Sequence, residues 1–263
     1  MSIEIVILGC GSSGGVPRVA QGWGQCDPAN PRNRRRRCAI MVEQGGLEPT
    51  RLLVDAGADL REQLIAQDIH RLDALLLTHA HADHCHGIDD LRPLTMVMHR
   101  LIDCYLDGPT WEKIGARFNY CFETPPGSNY PPLYVPHRLT PGVPFAPSGP
   151  GGELKTLPFR LNHGDIDALG FRFGDCAYTP DVKYVPDESL AFLENLDLWI
   201  VDALRYRSHP SHLSLGETLE LIAHFRPKRA VLTNLHTDLD YETLRRTLPE
   251  GVEPAYDGMR LRV

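Results

Sequence analysis

The chain has 263 residues and a formal net charge of -7, from 27 basic and 34 acidic side chains. That length is ample for a packed core, and the acidic balance excludes a wholly basic polymer binder while leaving room for a local basic patch. Seven cysteines, an odd number with no C-x-x-C pair, argue against a disulfide framework and for a reducing, cytoplasmic setting; no apolar run approaches the roughly 18 residues of a membrane span.

Residues 3–8 are a short apolar strand that runs into Gly9, Gly11 and Gly14, spaced as G-x-G-x-x-G. A dinucleotide site needs a helix directly after such glycines and an acidic residue about twenty positions on. Here Gly15-Val16-Pro17-Arg18 and a stretch without helical period follow, and the arginines at 32 and 34–37 stand where the acid should be. The glycines therefore read as a strand-to-loop turn. Ile7-Leu8-Gly9-Cys10 has the look of a lipoprotein cleavage site, but the segment before it is too short and carries Glu4. The arginine cluster reads equally as a phosphate contact or a solvated face, and Trp23 as a loop anchor.

Further β-rich runs lie at 38–42, 51–54, 74–77, 154–161, 170–173, 176–178, 198–201 and 230–232. Phe173-Gly174-Asp175-Cys176 predicts a hairpin turn. Helices are predicted over 59–67, 87–100, 187–194, 215–224 and 241–247. Ser214 and Glu217 have capping-box spacing before an apolar stripe at Leu215, Leu219 and Ile222. Strands precede helices without strict alternation, which predicts an α+β fold. The Pro- and Gly-rich segment 124–152 reads as a long loop or as two weakly marked edge strands. No repeat or linker divides residues 1–263, so one domain is expected.

The densest chemistry lies in "LLLTHAHADHCHG", residues 75–87. A buried strand ends at Thr78 and is followed by His79, His81, Asp83 and His84. Four metal-capable side chains in six residues are costly to bury without partners. A turn after the strand can send His79 and His81 to one side and Asp83 and His84 to the other, as two neighbouring cations require. More donors follow later β runs: His163 in "FRLNHGD", Asp181 in "CAYTPDV" and His236 in "VLTNLHTDLD".

The H-x-H-x-D-H array, L-N-H, T-P-D and a late strand-end His together resemble the metallo-β-lactamase superfamily over essentially the whole chain. The Gly-rich opening before "GVP", "SHPSHL" and the ending "YDGM" resemble its phosphoribosyl 1,2-cyclic phosphate phosphodiesterase branch. The resemblance implies an αββα sandwich, two mixed β-sheets flanked by helices, with metals at one edge. It assigns His79, His81 and His163 to one metal, Asp83, His84 and His236 to the other, and Asp181 as the bridge, with a metal-bridging hydroxide as nucleophile. Zinc, manganese or iron all suit such N/O donors. The relatives' late motif is L-T-H, whereas Asn234 occupies that third position here. His236, two residues on, faces the same way in an extended chain and is the expected ligand, with Asn234 its rival. Relatives also carry clustered cysteines for a structural zinc; only Cys26 remains, with Thr237 in place of the accompanying His, so none is expected.

His212, just before the capped helix, is expected to act with Asp83 and Asp181 in catalysis as proton donor to the leaving group, with His209 a rival. Asp55 and His86 are expected to orient metal-bound histidines. The function expected is a dinuclear metal-dependent phosphodiesterase acting on a small cyclic or nucleotide-like phosphodiester. The alternatives are an RNA 3′-processing nuclease, for which the chain shows only one basic cluster, and a thioesterase or lactonase. A homodimer is a family-level expectation.

Overall fold

The computed structural model describes residues 2–263. Its strands are β1 (Ile3–Gly9), β2 (Ala39–Gln44), β3 (Thr50–Val54), β4 (Ala74–Leu76), β5 (Ile102–Leu106), β6 (Tyr134–Arg138), β7 (Ser148–Gly149), β8 (Gly152–Glu153), β9 (Thr156–His163), β10 (Ile166–Phe173), β11 (Cys176–Thr179), β12 (Leu198–Asp202), β13 (Arg229–Thr233), β14 (Val252–Pro254) and β15 (Arg260–Arg262). The helices are α1 (Leu60–Ala66), α2 (Ala82–Cys85), α3 (Arg92–Met98), α4 (Gly108–Phe118), α5 (Asp187–Leu190), α6 (Leu215–Phe225) and α7 (Tyr241–Thr247).

Two mixed sheets form, in the orders β15-β1-β2-β3-β4-β5-β6 and β14-β13-β12-β11-β10-β9. Each joins an antiparallel part to a parallel part: β3 to β6 run parallel in one, and β11 to β14 in the other. Strand alternation builds the layers. On β1, Ile5 and Ile7 face the second sheet and meet Phe171, Phe173 and Ile200. Val6 and Leu8 face the other way, onto a cluster that includes Leu60, Leu64 and Ile114 of the first helical layer. Trp199 and Val201 of β12 pack against Leu215, Ile222 and Leu244 of the second. The result is the expected αββα sandwich. Among the described residues no helix is long and apolar enough to cross a membrane.

The predicted strands all form, within a few residues at each end. Residues 87–100 do not make one helix: a 3-10 turn at Ile88–Leu91 precedes α3, with Pro93 in the first turn of the new helix. Segment 124–152 contributes the edge strand β6, which accommodates Pro136, and part of the β7–β8 hairpin. Strands β5, β14 and β15 and helix α4 were not read in the sequence.

Candidate metal centre

The polar cluster sits where strand ends converge. Asp55 follows β3, Thr78 and His79 follow β4, and His163 ends β9. Asp181 follows β11, Asp202 ends β12 and Asn234 follows β13. Parallel neighbours place their carboxyl ends on one rim, so residues distant in sequence meet there. Locally, α2 is pinned over the 55–57 turn by Ala56 N–H donating to the His84 carbonyl at 2.7 Å and Gly87 N–H to the Ala56 carbonyl at 2.8 Å. A Cβ on Gly57 would lie 2.0 Å from the Asp83 carbonyl oxygen, so this contact requires glycine.

Two triads of donor atoms lie within 4.8 Å of one another, His79–His81–His163 and His79–His84–Asp181, and a third joins His163, Asp181 and His212. Asp181 is central. Its Oδ1 is 3.2 Å from His84 Nε2, and its Oδ2 is 3.6 Å from His163 Nε2, 3.8 Å from His212 Nε2 and 4.0 Å from His79 Nε2. Asp83 Oδ2 approaches His84 Nε2 at 3.4 Å.

Four of the rings are held from behind. The Thr78 hydroxyl donates to Asp55 and so accepts from His79 Nδ1 at 3.0 Å. His84 Nδ1 donates to Asp55 Oδ2 at 2.7 Å, His163 Nδ1 to the Ser211 carbonyl at 2.7 Å, and His212 Nδ1 to Asp202 Oδ2 at 2.8 Å. Each Nδ1 therefore donates outward and each Nε2 faces the cluster; on His79 and His163, where burial lowers the pKa, that Nε2 offers a lone pair. Such outer hydrogen bonds orient metal-binding imidazoles. Asp55 was expected to act this way; Asp202 was missed, although an acid ending an apolar strand was the same signal that marked the other residues.

The donors fit divalent cations. His81 Nδ1 lies 2.9 Å from His79 Nε2 and 3.3 Å from His163 Nε2, and lone pairs facing at such distances repel unless a cation or proton sits among them. Burial holds the pKa of His79 well below the usual histidine value, helped by neighbouring His84, which keeps this ring neutral and ready to ligate. Around His84 burial acts the same way but is overcome by the carboxylates of Asp181, Asp55 and Asp83, which push its pKa well above the usual value. The pocket therefore demands positive charge.

His236 is not brought into these triads. Asn234 has φ +62°, a left-handed turn that breaks the extended alternation on which the expectation for His236 rested. Leu235 is drawn onto the opening loop through its N–H to the Cys10 carbonyl, 2.8 Å, and His236 pairs with Arg18, with Nε2 accepting from Arg18 Nη1 at 2.6 Å. The side chain beside Asp181 is that of Asn234, whose amide donates to the Pro180 carbonyl at 3.0 Å and lies 3.4 Å from Asp181 Oδ1. Its nitrogen has no lone pair for a metal.

Burial opposes charge on His212, but Asp202 and then Asp181 push its pKa up to about 9; burial in turn raises Asp202 to about 6. The His209 ring lies 5.1 Å from that of His212, tilted by 53°. His86 is exposed and packs on Phe118, outside the cluster.

The arginine run is consumed by structure. Arg32 stacks on Tyr241 and Tyr256, Arg34 lies over Trp23, Arg36 pairs with Asp257 and Arg37 with Asp59. Arg35 is buried and donates to the Leu239 carbonyl at 2.7 Å and the His236 carbonyl at 3.2 Å. The opening glycines pack against this run: a Cβ on Gly9 would lie 2.1 Å from the Arg37 carbonyl oxygen. Ser12 and Ser13, within the same loop, line a cavity shared with Asp83 and His212.

A family model described as a Beta-lactamase superfamily domain matches residues 50–234. The chain is 32% identical over 262 residues to an octanoyltransferase of Porphyromonas gingivalis (strain ATCC BAA-308 / W83), covering 98% of this chain and 51% of that protein. It is 30% identical over 167 residues to a ribonuclease Z of Bradyrhizobium sp. (strain ORS 278), covering 62% of this chain and 51% of the relative. The chain thus spans about half the length of these curated relatives. A crystal structure described as a new diphosphatase from the PhnP family superposes with a TM-score of 0.89 at 32% identity, covering 100% of this chain and 98% of that one. With an αββα sandwich, a His/Asp cluster at its rim and a family match over most of its length, the chain belongs to the metallo-β-lactamase superfamily.

Proposed function

We propose that this protein is a dinuclear metal-dependent hydrolase of small phosphodiesters. The observation that carries the reading is the convergence of His79, His84 and His163 Nε2 around Asp181, with the three rings held from behind by Thr78, Asp55 and Ser211. His79, His81 and His163 would hold one cation; Asp83 and His84 would hold a second, with Asp181 between them. When bound, such cations activate water and neutralise charge on a phosphodiester.

The remaining work falls to the chain's own side chains. His212, protonated at neutral pH and fixed by Asp202, presents Nε2 toward the cluster, in position to give a proton to a leaving oxygen. Asp55 holds His84, and through Thr78 it also fixes His79, so one buried carboxylate sets two rings. The similarity to a diphosphatase and to a ribonuclease Z supports phosphorus–oxygen bond cleavage, whereas the octanoyltransferase, of which the chain spans 51%, keeps carbonyl chemistry among the arms of the test.

The test is a metal-loading series with zinc, manganese and iron, followed by bis-p-nitrophenyl phosphate, a cyclic nucleotide, a 3′-extended tRNA precursor and a thioester. Turnover of the small diesters above the other two supports the reading. Preferential, strongly salt-dependent cleavage of the tRNA precursor would replace it with the nuclease reading.

A further inference from the structure

The His81 ring is held differently from its neighbours. It turns Nδ1 to the cluster, 2.9 Å from His79 Nε2 and 3.3 Å from His163 Nε2, and among the described residues no hydrogen bond reaches its Nε2. It is also the exposed member of its triad. With no partner behind the ring, its direction falls to the backbone on either side of the His81 Cα.

Both peptide units flanking that Cα are pinned. After it, the His81 carbonyl accepts from the His84 N–H at 3.1 Å and from the Cys85 thiol at 3.0 Å, both within α2. Before it, the Ala80 carbonyl accepts from Arg117 Nη1 at 2.7 Å. A peptide unit is planar, so fixing the Ala80 carbonyl also fixes the His81 N–Cα bond. The contacts from α2 are local, whereas Arg117 reaches in from α4, 37 residues along the chain.

Helix α4 is anchored so that it can make this contact. It starts just after β5, the parallel neighbour of β4, and Asp107 caps it by accepting from the Thr110 N–H at 2.9 Å, with Pro109 in the first turn. Ile114 is buried in the same apolar cluster as Ala80 and Cys85, and Phe118 packs edge-on against His86. Arg117 lies in the last turn, where a positive charge suits the helix dipole. Its charge alone would oppose cation binding, because like charges repel. Lys113, one turn earlier, has the same sign: burial lowers the His81 pKa against Asp83 and Asp181, and the His84 and Lys113 charges add to the lowering. Positioning and charge therefore predict opposite signs for the removal of Arg117.

We propose that Arg117 is a positioning residue for the metal centre. By holding the Ala80 carbonyl it aims His81 Nδ1 at His79 and His163, and it couples the docking of α4 to the affinity of that cation site. This rests on the metal-dependent reading and adds to it a residue outside the ligand array.

The test measures zinc affinity by competition with a chromophoric chelator in the wild type, Arg117→Met, Arg117→Lys and Lys113→Met. Methionine keeps the aliphatic stem and removes donor and charge. R117M should bind the tighter zinc about tenfold more weakly. K113M should bind it as tightly as the wild type or more so, and R117K should recover part of the R117M loss. Equal or tighter binding in folded R117M, an equal fall in K113M, or no recovery in R117K overturns the proposal. If the wild type retains no zinc, the metal reading has failed, and amide hydrogen exchange in the metal-free protein decides the positioning role. The His84 N–H, bonded to the His81 carbonyl, should then exchange about tenfold faster in R117M, with the amides of β4 unchanged; equal exchange overturns it.

Discussion

His212 Nδ1 donates to Asp202 Oδ2 at 2.8 Å, with Asn234 Nδ2 3.1 Å from the same nitrogen, and His212 Nε2 lies 3.8 Å from Asp181. Asp202 is wholly buried, and its other carboxylate oxygen has no partner, so the pair is committed to this orientation. Carboxylate–imidazole pairs of this kind serve either to hold a ligand or to hold a proton donor.

Replacing His212 distinguishes the two roles. For a proton donor, His212→Ala lowers kcat on a small diester by about 10²–10⁴-fold with metal content unchanged. Asp202→Asn lowers it by about 10–100-fold, through loss of ring orientation. Metal analysis beside steady-state kinetics checks this; a parallel fall in bound metal in H212A would make His212 a ligand.

Asp55 reaches two rings at once. Asp55→Asn keeps a residue that tolerates its φ of +68° but leaves one acceptor oxygen where His84 and Thr78 both need one. Metal affinity should fall by about 10–100-fold, read by competition with a chromophoric chelator. Unchanged affinity would mean that the His84 ring is held by packing alone.

Asn234 turns its amide nitrogen, which has no lone pair for a metal, toward Asp181, so in the proposed dinuclear centre the Asp83–His84 side would have fewer donors than the His79–His81–His163 side. Asn234→His should raise the affinity of the weaker site by about tenfold or more. The left-handed backbone there sets a cost of about 1–2 kcal/mol on the folded state. Isothermal titration with zinc and a urea melt read the two effects separately.

Asp257 links the opening loop to the arginine run. Its Oδ2 accepts from the Arg36 N–H at 2.8 Å and its Oδ1 from the Cys10 N–H at 3.2 Å. Burial raises its pKa to about 6, against those hydrogen bonds and the Arg36 charge. The folded state therefore holds this proton where the unfolded chain, at about 3.9, has released it. Stability from this group is greatest below pH 4 and falls as pH rises to 6, by at most roughly 3 kcal/mol. Urea midpoints at pH 4.5 and 6.5 should show this decline in the wild type, and Asp257→Asn should lack that component of the slope.

The ligand cluster was legible because its chemistry is dense and local. His79, His81, Asp83 and His84 crowd six residues, and buried strands leading to His163 and Asp181 carry polar groups that an apolar run does not explain. The two-faced alternation of β1 and the capping box at Ser214 and Glu217 were equally visible, because period and capping are properties of neighbours in sequence. Strand β5 and the terminal strands β14 and β15 were not, and β6 only as one of two alternatives for 124–152, since pairing with distant partners stabilises them more than their own pattern does.

The amino-acid sequence by itself determined the superfamily, the layered fold and the cluster built on the H-x-H-x-D-H array. Tertiary structure alone decided which residue stands beside Asp181 after β13. The backbone turns at Asn234, Leu235 N–H donates to the Cys10 carbonyl, and His236 pairs with Arg18 instead of joining the donor triads. It also decided that the arginine run is spent on stacking and ion pairs, because those partners lie more than 200 residues away at Tyr241 and Asp257 or are brought in by the fold at Asp59. Side-chain direction at a turn and the identity of a distant partner are set by chain closure, which no local spacing encodes.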